Sequence, residues 1–339
     1  MTAANGCCDR ALVRDRGRAE RAPRLVSSIR RLHRALLALA VASCALAQPE
    51  ATPVSPGKPG IRVAADCVIE RHVQSVDGRH LVTWVMRPPG EGPFPVVVWN
   101  HGSRIPPYSW FGIDRSRDST IDFDTPCREG VVNDGWMYVF PEGRGYGGSE
   151  GPTLAPLLSD TKSVITFLRG RASDANAAAR LIRLRPDAKP DCTAIVGVSH
   201  GGVTALFAAA AAPTQYRAAV IQATGICYHK PCGVEELENA ADEIRTPLLV
   251  QHFVNDSRVP IAVSRVIAHR AALHGAAVSL KEYPGVAGEE GHEINAPGNR
   301  EQWLDDYRSF LRAAFAQCTP TRTIIVKPPT TPEHLGGQP

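Results

Sequence analysis

Set aside its first 34 residues and the chain has almost no net charge. Those residues hold nine Arg, no Lys and three acids, a balance of +6. The full 339 residues stand at +4, so the rest amounts to −2. A near-neutral body offers no footing for nucleic acid or another polyanion. Nor is there an apolar run of membrane-spanning length, since the uncharged stretch 35–47 is too short to cross a bilayer. No internal repeat is apparent. "HEIN" at His292 lacks the second histidine of a zincin, and "CYHKPC" has no further Cys/His pair at finger spacing. Neither a metal nor a cofactor is therefore expected.

A glycine pattern in "FPEGRGYGGSEGP" tests that last expectation. Gly143-x-Gly145-x-x-Gly148 follows an apolar run, as a dinucleotide loop does. Such a loop must open directly into a helix whose N-terminus meets the pyrophosphate. Here Pro152 and Pro156 interrupt, and helical spacing starts only near Ser159. The glycines read instead as a tight loop walling an active site, with Arg144 and Glu150 as structural polar partners.

The front of the chain reads as a signal segment, 1–47. "SSIRRLHR" is a basic region, "ALLALAVA" a short apolar one, and "ALAQ" offers cleavage after Ala47. Cys44 in "VASC" is the rival, as the first residue of a lipoprotein. Residues 1–25 are long for a basic region, which places the expected start of translation near Val26. A Pro-rich linker, 48–60, leads to one domain, 61–318, followed by a tail, 319–339. Cleavage would leave six Cys, an even number that suits disulfides in an exported chain. Cys227 and Cys232 are close enough to close a small loop. The alternatives are metal binding with His229 for that pair and a free buried thiol for Cys192.

Within the domain, "CVIERHVQSV" and "HLVTWVMRP" alternate by twos around "DG" and form an expected hairpin. "FPVVVWN", "WMYVF", "CTAIVGV", "RAAVIQA", "TPLLVQHFV" and "AVSLKEYP" read as strands, with helical patterns between most of them. Strands apolar on both faces, separated by helices, predict an α/β fold: a largely parallel sheet covered on both sides, with the hairpin as an antiparallel edge.

The chemistry is expected at "IVGVSHGG". Gly197-x-Ser199-x-Gly201 follows a strand and opens a helix, the setting of a nucleophile elbow. The His200 amide at the helix start can donate to an oxyanion. A serine hydroxyl needs a base, and the base an orienting acid. Asp256, at the end of "LLVQHFVND", is the expected acid, with an Asx-turn as its bland alternative. Glu282 and Asp242 are weaker rivals. His292, in the loop "GEEGHEIN", is the expected base and reads as an exposed loop histidine. His269 and His274 lie on the preceding helix and face the wrong way. Ser103, after Gly102 in "WNHGS", is the expected second oxyanion amide, with a simple turn and a packed His101 as the alternative.

Taken in order, "NHGS", "RGYGGSEG", "GVSHGG", "NDSRVP" and "GH" resemble the α/β-hydrolase superfamily over nearly all of 65–316. The similarity is greatest to dienelactone hydrolase-like and prolyl-oligopeptidase-like members. That resemblance implies Ser199, Asp256 and His292 as a triad, and the amides of Ser103 and His200 as an oxyanion hole. Dienelactone hydrolases proper carry Cys where Ser199 stands, and the residues before 61 are too few for a propeller. The twenty or so residues between Gly225 and Arg245 leave little room for a lid. The expected substrate is a small ester or a short peptide. The "SRIPPYSWFGIDRS" loop, 103–116, is a candidate wall of its pocket.

Overall fold

The computed structural model describes residues 62–64, 67–103, 127, 131, 133–227 and 229–318. The expected signal segment with Cys44, the linker, the tail and most of the 103–116 wall lie outside the described residues.

Among the described residues, nine strands make one sheet: β1 (Arg62–Ala64), β2 (Cys67–Val76), β3 (Arg79–Arg87), β4 (Phe94–Asn100), β5 (Met137–Pro141), β6 (Ala188–Val198), β7 (Ala218–Gln222), β8 (Leu248–Phe253) and β9 (Val278–Tyr283). Five α-helices accompany them among the described residues: α1 (Thr161–Arg183), α2 (His200–Ala211), α3 (Val234–Asp242), α4 (Ile261–Leu273) and α5 (Pro297–Ala316). The strand order is β1-β2-β3-β5-β4-β6-β7-β8-β9. Strands β4 to β9 run parallel, and β1, β2 and β3 form the antiparallel edge.

Local chemistry explains these boundaries. The hairpin turns at Asp77 and Gly78, which both take positive φ (50° and 75°), as a two-residue turn matched to strand twist demands. Asp160 caps α1 by accepting from the Lys162 and Ser163 amides. Helix α5 starts three residues earlier than its apolar spacing suggests, because Pro297 occupies the first turn, where a missing N–H costs nothing.

Alternation of side chains divides the core in two. Val96, Val98, Ile195, Ile221 and Val250 face α1 to α4. Val97, Trp99, Val196, Val220 and Leu249 face Trp303, Tyr307 and Leu311 of α5. Both faces of the parallel strands are thus dry, which is why their sequences read as continuous apolar runs.

Disulfides join Cys67 to Cys127, Cys192 to Cys318 and Cys227 to Cys232. The last agrees with the short-loop expectation and excludes the metal reading of that pair. The free-thiol alternative for Cys192 is corrected: its side chain meets the end of α5, where Cys318 follows the last turn.

Candidate active site

Every loop of interest leaves the carboxyl end of a parallel strand, where open α/β sheets place their ligands. Ser199 follows β6 directly. Its backbone is forced to φ 56° and ψ −123°, a strained combination for an L-residue. The strain persists because the strand and helix packed around it fix both ends of the turn. An ideal Cβ at Gly201 would lie 2.6 Å from the His101 carbonyl oxygen and closer still to that of Asn100. Only glycine lets α2 start this near β4.

The strained turn aims Ser199 at His292. The hydroxyl lies 3.0 Å from His292 Nε2, and His292 Nδ1 lies 2.9 Å from Asp256 Oδ2. Three residues read separately from the sequence are thus brought together in one hydrogen-bonded line. Asp256 also fills its bland role, since Oδ1 accepts the amides of Arg258 and Val259 at 2.9 and 2.8 Å. Burial pushes its pKa up. Hydrogen bonds from His252 and His292 and the amide of Val259 outweigh that and hold the carboxyl well below the usual range.

One expectation is corrected here. His292 is not exposed; its relative exposure is 8 %. The loop folds back because Glu290 Oε1 accepts both the His292 amide (3.1 Å) and the Ser257 amide (2.9 Å), tying the His292 loop to the Asp256 loop. The rivals stand elsewhere. Glu282 is held by Arg265, and Asp242 by Arg270 and His274. His269 lies on α4 with its side chain exposed.

Gly102 lies against Ser199: an ideal Cβ there would be 3.5 Å from Ser199 Cβ. Ser103 is therefore beside the site, and its carbonyl accepts from the Tyr146 hydroxyl at 2.8 Å. Tyr146 sits edge-on to His101, with ring centroids 4.6 Å apart. Below it, the buried Arg171 donates through Nη2 to the His101 carbonyl at 2.7 Å and stacks on Tyr146 at 5.2 Å. The sequence reading missed Arg171. Its signal was position: it falls on the apolar stripe of α1 with Val164, Leu168 and Ala175.

The glycine loop behaves as a wall. Arg144 donates to Asp174 through Nε (2.9 Å) and Nη2 (2.5 Å), and Glu150 accepts the His80 amide at 2.8 Å. Gly145, at φ 74°, packs so tightly on the Pro152 carbonyl that a Cβ could not fit. Tyr146, Ser103, Thr153, Leu154 and Leu158 line a cavity of about 320 Å³.

His200 begins α2 and is buried, with Nε2 2.8 Å from the Ile226 carbonyl. Desolvation lowers its pKa from 6.5 to about 4. Between those values the unfolded chain binds the extra proton, so stability rises with pH across that window and is lost as pH falls. The full effect is about 3 kcal/mol at pH 4 relative to neutrality. Urea unfolding at pH 7 and pH 4 should show His200→Asn losing less stability on acidification than the wild type does. Equal losses would contradict a buried neutral His200.

With this geometry in view, comparison with known proteins is informative. Residues 77–236 match the family model of X-Pro dipeptidyl-peptidase (S15 family). Among solved structures, the chain is similar to the acylaminoacyl peptidase of Pyrococcus horikoshii (19% identity, TM-score 0.55, 74% of this chain and 42% of that one). It thus spans less than half of that relative. It is also similar to acetyl xylan esterase 1 from Thermoanaerobacterium sp. JW/SL YS485 (17% identity, TM-score 0.53, 76% of this chain and 88% of that one). A third likeness is a cold-adapted esterase from an Arctic intertidal metagenomic library (16% identity, TM-score 0.54, 76% and 97%). No curated protein matches. The strand order, the elbow turn and these neighbours define the class of fold: the chain has an α/β-hydrolase fold.

Proposed function

We propose that the protein is an exported serine hydrolase that cleaves a carboxylic ester by way of an acyl-enzyme. The observation that carries this reading is the unbroken line from Ser199 Oγ through His292 to Asp256. His292 Nδ1–H donates to the ionised Asp256, which fixes the tautomer that leaves Nε2 free to accept the serine proton. Ser199 Oγ then attacks the carbonyl carbon, and the former carbonyl oxygen becomes the oxyanion. The amides of His200 and Ser103 are proposed to stabilise it, the first reinforced by the N-terminus of α2. His292 returns the proton to the leaving alcohol. Water, deprotonated by the same ring, then releases the acid. The three disulfides and the amino-terminal signal pattern support an oxidising compartment outside the cytoplasm.

Cleavage of short peptides with the same triad is the second reading, favoured by the S15 match. An enzyme trimming peptides from a free terminus needs a charge to hold it. Among the described residues lining the 320 Å³ cavity none is charged, and Tyr146, Leu154, Ala155 and Leu158 suit a small apolar group. Ester hydrolysis is therefore preferred. With p-nitrophenyl esters of two to six carbons and aminoacyl-p-nitroanilides assayed side by side, kcat/KM should be at least about 100-fold higher for the best ester. Faster anilide turnover would promote the peptidase.

A further inference from the structure

We infer that His252 is a positioning residue that holds the acid of the triad in its working orientation. This rests on the hydrolase reading above and adds a residue to it. His252 lies within β8, four residues before Asp256, with a relative exposure of 0 %. Its Nε2 is 3.1 Å from Asp256 Oδ2, the same oxygen that His292 Nδ1 approaches at 2.9 Å. The same Nε2 is 3.1 Å from the Val259 carbonyl. An ionised carboxylate and a carbonyl both only accept, so Nε2 must carry the hydrogen and share it between them. Nδ1 on the other side of the ring faces Ser264 Oγ, buried on α4, at 2.7 Å.

The result is a line of five side chains, Ser264–His252–Asp256–His292–Ser199. Two backbone amides hold Asp256 Oδ1, and two imidazoles converge on Oδ2. The His252 N–H adds a second donor at Oδ2, which tightens the orientation that the amides at Oδ1 already favour and takes a share of the negative charge. Its loss would concentrate that charge on the bond to His292 and stabilise the imidazolium. The acid limb of kcat/KM would then move to higher pH. Other ionisable groups face this line. His200 approaches from α2, and Arg258 is paired with both Glu290 and Glu293, a cluster with one net negative charge. Arg265 of α4 is paired with Glu282 of β9, which also feels His252. The shift in the acid limb is therefore read against Glu282→Gln as a control for that coupling.

A histidine that merely fills the core predicts lost stability with unaltered chemistry, so the test needs both readouts. His252→Phe should lower kcat about 10- to 100-fold with KM within about twofold, and raise the acid limb by at least about half a pH unit. His252→Gln, whose Nε2 reaches the same place, should recover most of the rate. If the Phe variant keeps the wild-type kcat and limb while only its Tm falls, or if Gln fails as badly as Phe, the inference is overturned. Ser264→Ala covers the case in which Phe does not fold. Its far-downfield proton NMR signal from His292 Nδ1–H should move relative to wild type, and an unmoved signal overturns the inference. The NMR arm needs no turnover. A wild type without hydrolase activity would sink the function proposed above while still reporting on this contact.

Discussion

Replacing Ser199 with alanine should lower ester turnover by roughly 10⁵–10⁶-fold while leaving the protein folded. The Ser199 hydroxyl is the one seen at 3.0 Å from His292 Nε2, the atom proposed to take the proton. The six described cysteines that could compete are in disulfides. The strained turn survives the change, because the packing of Gly201 under β4 does not involve the hydroxyl. Among the described residues, the hydrogen bond lost is that to His292. Steady-state kinetics with the best p-nitrophenyl ester would give the rate, and circular dichroism with a Tm within a few degrees of wild type would exclude unfolding. A loss of less than about 100-fold would move the nucleophile elsewhere.

Changing Asp256 to asparagine should cost about 10⁴-fold in kcat, for a reason of tautomers rather than of charge alone. The two backbone amides at Oδ1 hold the oxygen of the new amide in place. Its NH2 must then face His292 Nδ1 and His252 Nε2. Two donors cannot face a third, so His292 flips to the tautomer with the hydrogen on Nε2 and can no longer take the Ser199 proton. Glu282 cannot substitute, because its carboxylate is engaged by Arg265 on the outer edge of the sheet. The kcat measured for this variant beside Ser199→Ala checks the point. A drop smaller than 10-fold would place the orienting acid elsewhere.

Much of this site was legible in the sequence, for reasons that differ by residue. Ser199 could be found because an elbow needs glycines on both sides of one serine between a strand and a helix. Few other constraints leave so local a mark. The meeting of Asp256 and His292 beside Ser199 could be expected because chain order and strand ends restrict which side chains reach that edge of the sheet. What escaped reading depends on contacts distant in the chain. His252 reads as an ordinary residue of an apolar strand until α4 brings Ser264 beside it. Arg171 reads as one more arginine on a helix until the loop after β4 lands on it. The burial of His292 follows from Glu290 binding a loop thirty-odd residues upstream, which no local pattern encodes. The pairing of Cys67 with Cys127 and Cys192 with Cys318 likewise depends on which strand and helix ends meet.

The account turns on Ser199 being a nucleophile activated in place. The most direct measurement treats the purified protein with a fluorophosphonate, digests it and maps the adduct by mass spectrometry. One adduct per chain on the peptide containing Gly197–Gly202, carried by Ser199 and absent from Ser199→Ala, is the predicted result. No adduct on active, folded protein, or an adduct on another residue with Ser199 unmodified, would contradict it.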